Sequence, residues 1–151
     1  MSDRSRNLLH VDDDPDMLRL VACKLRPRGF QVHSLDDPRQ AQRELLSHDC
    51  RVVLLDVDMP TINGLELLRQ IKRHDGGIQV ILLTGLLSTN TVLESMRMGA
   101  EACLFKPIHD FDELYEVLDA TCAKVGRWWR TLQDLADRSR AQTPPTRTVV
   151  G

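Results

Sequence analysis

The chain has no apolar run long enough to cross a membrane, no apolar leader at its amino end and no close pair of cysteines. The first lack excludes a helical membrane span, which needs about 20 consecutive apolar residues. Residues 1–7 are polar and are not expected to act as a secretory signal. Cys23, Cys50, Cys103 and Cys122 lie far apart and form no CxxC motif. They read as reduced core thiols in a cytoplasmic protein rather than as a metal or redox centre. A net charge of −2 argues against nucleic acid as a partner of the chain as a whole. No internal repeat occurs, and no low-complexity stretch precedes the C-terminal tail. What remains is ordinary: 151 residues, 42% hydrophobic and 28% charged, enough for one domain with its own core.

The stretch Val52-Val53-Leu54-Leu55-Asp56-Val57-Asp58-Met59-Pro60 organises the rest. Four apolar residues, two of them β-branched, read as a buried parallel strand. Pro60 and Asn63-Gly64 then force a loop. Asp56 therefore stands at the carboxyl end of a central strand, the edge where open α/β sheets bind ligands.

Along the chain, strands are expected over residues 7–11, 30–34, 51–55, 78–83 and 102–105. Helices alternate with them. Asp14-Pro15 and Asp37-Pro38 are cap-then-proline starts for the first two helices. The second should turn Ala41, Leu45 and Leu46 inward. Asn63-Gly64 opens the third, with Leu65, Leu68 and Ile71 inward. Ser88 or Thr89 caps the fourth, which carries Val92, Leu93 and Met96, and Asp110 caps the fifth. Five such alternations imply a doubly wound α/β domain, a (βα)5 fold with a five-stranded parallel sheet and right-handed crossovers.

Strands one, three, four and five then end in Asp12-Asp13, Asp56, Thr84 and Lys106, all on one sheet edge. Three carboxylates so close raise one another's pKa. A hard divalent cation relieves that repulsion, and Mg2+ takes oxygen ligands while keeping places for water or phosphate oxygens. Cation, ammonium and hydroxyl surround a point where a phosphoryl group fits. A carboxylate is itself a phosphoryl-accepting nucleophile.

In Val11-Asp12-Asp13, Leu55 to Pro60, Asn63-Gly64, Thr84-Gly85, Gly99-Ala100 and Lys106-Pro107 the chain resembles the receiver domains of two-component response regulators, over about residues 7–125. The resemblance implies a flavodoxin-like sheet in the order 2-1-3-4-5. It makes Asp56 the phosphoacceptor, served by Thr84 and Lys106, each meeting a phosphoryl oxygen. Asp13, Asp56 and the backbone carbonyl of Asp58 would hold Mg2+, and Asp12 would reach it through water. The Lys106-Pro107 bond is expected to be cis. The phosphoryl donor would be a histidine of a sensor kinase or of a histidine phosphotransfer protein, and an unidentified downstream protein would read the result. The chain would not be an enzyme beyond accepting and hydrolysing its own phosphoryl group. One position departs from the pattern: Cys103 stands where the family keeps a switch aromatic, with Phe105 two residues along on the same strand face.

The expected organisation is a receiver over residues 1–125, a helical extension over 126–141 and a disordered tail over 142–151. An output domain has no room, so the chain reads as a chemotaxis-type stand-alone receiver or a piece of a longer protein. Phe111, Tyr115, Leu118, Cys122, Val125, Trp129, Leu132 and Ala136 are spaced alternately four and three apart, a heptad seam. Its second half would expose Trp128, Trp129 and Leu132 unless folded back or covered, a surface for a second copy or another protein. Gly126 argues against one unbroken helix. Five arginines against two aspartates beyond it read as a solvated face.

Two other functions fit parts of the pattern. Asp56-Val57-Asp58 resembles the start of haloacid-dehalogenase-like phosphatases, although Pro60 takes the place of their threonine or valine and the acidic pair Asp12-Asp13 comes first rather than late. A receiver-fold adaptor that works without phosphorylation would explain Cys103.

Overall fold

The computed structural model describes residues 4–85 and 88–142. Five strands form one sheet: β1 (Asn7–Val11), β2 (Gln31–Leu35), β3 (Val52–Asp56), β4 (Gln79–Thr84) and β5 (Ala102–Phe105). All neighbours pair parallel, in the order β2-β1-β3-β4-β5. Between and after them run α1 (Pro15–Leu25), α2 (Ala41–His48), α3 (Gly64–His74), α4 (Thr89–Arg97) and α5 (Phe111–Gln142).

The central strands are apolar on both faces because helices cover both. Leu8, Leu54, Ile81 and Leu83 meet Val21 and Leu25 of α1 and Leu114, Leu118 and Cys122 of α5. Leu9, Val53, Leu55, Val80 and Leu82 point the other way, against Leu45 of α2 and Leu67, Leu68 and Ile71 of α3. Alternation along each strand thus sorts one apolar run into two cores.

The expected caps hold α1, α3 and α5. Asp14, Asn63 and Asp110 each accept a hydrogen bond from the backbone N–H two residues on. Asp37-Pro38 starts a 3-10 turn over Pro38–Gln40 before α2 begins. Ser88 sits at the cap of α4 without a side-chain bond to it.

Several inward faces differ from expectation. In α2, Ala41 and Leu45 are buried while Leu46 is exposed, because it stands about 100° around the helix from Leu45. In α3, Leu67 is buried and Leu65 only half so. In α4, Ser95 is the buried residue, and Leu93 and Met96 are exposed. Thr91 and Val92 are half-buried beside Ser95, as is Met98 just past the helix end. Cys23 is also exposed, unlike buried Cys50 and Cys122.

Gly126 does not break α5, which runs without interruption for 32 residues. The tertiary contacts of its first half outweigh a local cost of about 1 kcal/mol. Trp129 packs, partly buried, against the α1/α5 core, which is the covered alternative of those expected for it. Trp128, Leu132 and Leu135 remain exposed. Of the expected tail, Gln142 is the last helical residue, and residues 143–151 lie outside the described residues. Among the described residues no helix is long and apolar enough to cross a membrane.

Candidate functional site

The carboxyl edge of the sheet gathers side chains from four strand ends. The ladder carries β1 one residue on, with the Asp12 N–H donating to the Leu35 carbonyl at 3.1 Å. This fixes Asp12, which is fully buried. Its Oδ1 accepts from the Asp14 N–H at 2.9 Å, turning the chain into α1 and leaving Asp13 exposed at the rim.

Asp56 ends β3 and is 2% exposed. The Val57 N–H donates to the Leu83 carbonyl at 3.0 Å, and the Gly64 N–H to the Val57 carbonyl at 3.0 Å. The start of α3 is thereby drawn onto the end of β3. A Cβ on Gly64 would lie 2.3 Å from the Asp56 carbonyl oxygen, so no residue with a side chain fits there without movement. Asp58 is tied to the same loop. Its N–H donates to Asp56 Oδ1 at 3.2 Å, and its Oδ2 accepts from the Gly85 N–H at 3.3 Å.

Lys106 comes in from β5, held by its N–H on the Thr84 carbonyl at 2.8 Å and followed by a cis bond to Pro107. Its ammonium stands 2.8 Å from Asp12 Oδ2 and 3.2 Å from Asp56 Oδ1. Thr84 is fully buried at the end of β4. The parallel topology thus brings Asp12, Asp13, Asp56, Thr84 and Lys106 to one edge, as the sequence implied. Lys106 bridges two carboxylates here.

Burial pushes the Asp56 carboxyl up to about 6, with the Asp12 carboxylate adding to the rise and the Lys106 ammonium opposing it. Burial alone would lower the Lys106 ammonium, but its bonds to Asp12 and Asp56 outweigh that and hold it above its usual value. Carboxylate oxygens of Asp12, Asp13 and Asp56 all lie within 4.8 Å of one another. That is an all-oxygen donor set, one member at the open rim, with more negative charge than one ammonium balances. Such a set fits Mg2+, which binds through one or two carboxylates and keeps other positions for water or phosphate.

One functional candidate was not singled out in the sequence. His10, inside the apolar run of β1, is fully buried, and neither ring nitrogen has a hydrogen-bond partner in the structure. Its Nε2 lies 3.9 Å from Asp12 Oδ2. Burial lowers it to about 4, so the imidazole is neutral at pH 7. The available signal was its spacing: two residues before Asp12, on the same strand face.

Cys103 is partly buried against the α2/α3 core. Phe105 is exposed and lines a shallow cavity of about 320 Å³ with Ser88, Thr89, Val92 and Leu93.

Residues 8–119 match the family model described as the response regulator receiver domain. The C4-dicarboxylate transport transcriptional regulatory protein DctD of Pseudomonas aeruginosa is 37% identical over 105 residues, which cover 70% of this chain and 23% of that protein. The regulatory protein AtoC of Escherichia coli is 32% identical over 107 residues, covering 71% and 23%. The chain therefore spans about a quarter of the length of these curated relatives. Among solved structures, a CheY-like receiver domain protein from Methanospirillum hungatei superposes with a TM-score of 0.75 at 24% identity, covering 80% of this chain and 96% of that one. The response regulator protein TrrA of Thermotoga maritima, solved in complex with Mg2+–BeF, gives a TM-score of 0.69 at 29% identity, covering 76% and 97%.

Proposed function

Since the chain belongs to the response regulator receiver domain family, a family of signalling switches, we propose that Asp56 is its phosphoacceptor, within a receiver of residues 1–125 extended by residues 126–141. The observation that carries this is Asp56 itself, a buried carboxylate flanked by two more and by the Lys106 ammonium.

The donor is a phosphohistidine on a sensor kinase or a histidine phosphotransfer protein. A carboxylate oxygen of Asp56 attacks phosphorus and the phosphorus–nitrogen bond breaks. The departing imidazole nitrogen keeps the electron pair, and the proton that the phosphohistidine carries on its other ring nitrogen leaves the imidazole neutral. Asp13, Asp56 and the Asp58 carbonyl would hold Mg2+, with Asp12 reaching it through water. When bound, the cation supplies neutralisation of charge on the phosphoryl oxygens. Lys106 turns its ammonium to one phosphoryl oxygen and Thr84 its hydroxyl to another, while the loop tied by Gly64 keeps Asp56 at the sheet edge. Hydrolysis later returns Asp56 to its carboxylate and releases phosphate. The switch works in the cytoplasm and is read by a further protein. The exposed side chains of Trp128, Leu132 and Leu135 support pairing with a second copy of the chain.

Intact-protein mass after incubation with acetyl phosphate and Mg2+ tests the reading. One added phosphoryl group on wild type and none on Asp56→Asn is expected. No adduct on wild type, even after presentation of a phosphorylated histidine donor, would overturn it.

A further inference from the structure

Asp12 is the most deeply enclosed charge at the site, and its two oxygens are unequally served. Oδ1 has the Asp14 N–H at 2.9 Å. Oδ2 has the Lys106 ammonium at 2.8 Å. The same ammonium holds Asp56 Oδ1 at 3.2 Å. Phosphorylation replaces the single charge of the Asp56 carboxylate with nearly two, spread over the phosphoryl oxygens. Lys106 is pulled toward it, since charge-assisted bonds to phosphate oxygens are among the strongest a lysine makes. Its hold on Asp12 weakens as that happens. A buried carboxylate oxygen that loses its donor bears the full desolvation cost.

The group next in reach is His10. Its Nε2 is 3.9 Å from Asp12 Oδ2, on the same face of β1 and pressed among buried side chains. Both its ring nitrogens are without partners, and among the described residues they are the buried side-chain nitrogen and oxygen atoms left so. A fully buried imidazole with no bond made is a donor held in reserve, because native interiors rarely leave such groups unpaired. A neutral imidazole carries one N–H. Set on Nε2, and with an approach of about 1 Å by ring rotation, it reaches the usual bond length.

We propose that His10 is a positioning residue of the phosphorylated state: its Nε2–H takes over Asp12 Oδ2 as Lys106 moves onto the phosphoryl group. This rests on the reading of Asp56 as phosphoacceptor. The imidazole acts by handing a hydrogen bond to Asp12, without touching the phosphoryl group.

The test uses the full chain with Mg2+ and beryllium fluoride as the phosphoryl mimic, and compares wild type, His10→Gln and His10→Leu. Nitrogen-detected NMR of the imidazole reads the bond directly. The Nε2–H resonance of wild type should move to a hydrogen-bonded position only when the mimic is bound. Mimic affinity should fall about tenfold in His10→Leu, the loss of one bond to a charged group. His10→Gln, whose amide nitrogen falls near the same place, should recover most of it. An unchanged Nε2–H resonance on a wild-type protein that binds the mimic would overturn the proposal and leave the phosphoacceptor reading standing. Equal affinities in all three proteins would do the same. A wild type that neither binds the mimic nor gains mass with acetyl phosphate would overturn both together.

Discussion

Replacing Gly64 by alanine sets two opposed effects against each other. Gly64 is the first residue of α3, where alanine is the better helix former by up to about 1 kcal/mol. The added methyl, however, would stand 2.3 Å from the Asp56 carbonyl oxygen, 2.6 Å from Val57 Cα and 3.0 Å from the Asp56 carbonyl carbon. All three are backbone atoms of the strand end that carries the candidate phosphoacceptor, so no flexible side chain can give way. The loop must open by about 1 Å to reach ordinary carbon contact distances of about 3.5 Å. Overpacking of this kind costs about 1–3 kcal/mol, and contact with backbone puts it at the upper end. The net expectation is a loss of about 2 kcal/mol. That lowers Tm by about 4–8 °C in a domain of this size. Urea unfolding should show a lower midpoint at unchanged slope. The Asp56 carboxylate should move relative to Lys106, slowing phosphorylation by acetyl phosphate. Gly126→Ala is the counterpart. A Cβ there meets nothing closer than 3.7 Å, at the end of the Arg130 side chain. Only the propensity effect remains, and a gain of about 0.5–1 kcal/mol is expected. A Gly64→Ala protein as stable as wild type would refute the close-approach argument. A destabilised Gly126→Ala would refute the reasoning on propensity.

The other expectations concern charge and the extension. With burial first among its causes, the folded Asp56 carboxyl titrates at about 6 rather than 3.8. Its ionisation therefore opposes folding. The penalty is absent below about pH 4, grows as pH rises toward about 6 and is complete above it. In chelator-treated samples Asp56→Asn should exceed wild type in stability by a margin that grows from pH 4 to pH 6 and then levels off; a margin independent of pH would contradict this. Lys106→Met removes the cation shared by Asp12 and Asp56, and should lower stability without metal by about 2 kcal/mol. Saturating Mg2+ should then raise Tm more in the variant than in wild type, read by calorimetry, and an equal shift would count against the shared-cation account. Trp129→Ala should cost about 2 kcal/mol, because its ring packs on the core, whereas Trp128→Gln should change stability by less than about 0.5 kcal/mol. Similar urea midpoints for the two variants would deny that difference in packing.

The candidate site was legible because parallel topology forces strand ends together. Once Val11, Leu55, Leu83 and Phe105 are read as the last apolar residues of neighbouring strands, Asp12, Asp56, Thr84 and Lys106 have to share an edge. The caps Asp14, Asn63 and Asp110 were legible for a local reason, each bonding a backbone N–H two residues on. Features set by long-range packing were less so. The apolar residues of α4 suggested a face through Leu93 and Met96, but the sheet takes the face with Ser95, whose hydroxyl donates to the Thr91 carbonyl within its own helix. Gly126 carries a local penalty that says nothing of the contacts holding the rest of α5. Strand ends shifted by one residue at β2, β3 and β4, since the ladder depends on the neighbouring strand's register. His10 looked like a minor interruption in an apolar run, and only burial on both sides gives it meaning.

The length of α5 has a mechanical consequence. At 1.5 Å per residue its 32 residues measure about 48 Å, and the last 16 extend for about 24 Å. The helix begins five residues after Lys106, its first half is packed in the core, and its last 16 residues run on from there. A tilt of about 5° where the packed half ends would move the tip about 2 Å, a distance comparable to a change of side-chain rotamer. Angular adjustments too small to disturb the packed core are thereby converted into displacements large enough for another molecule to feel.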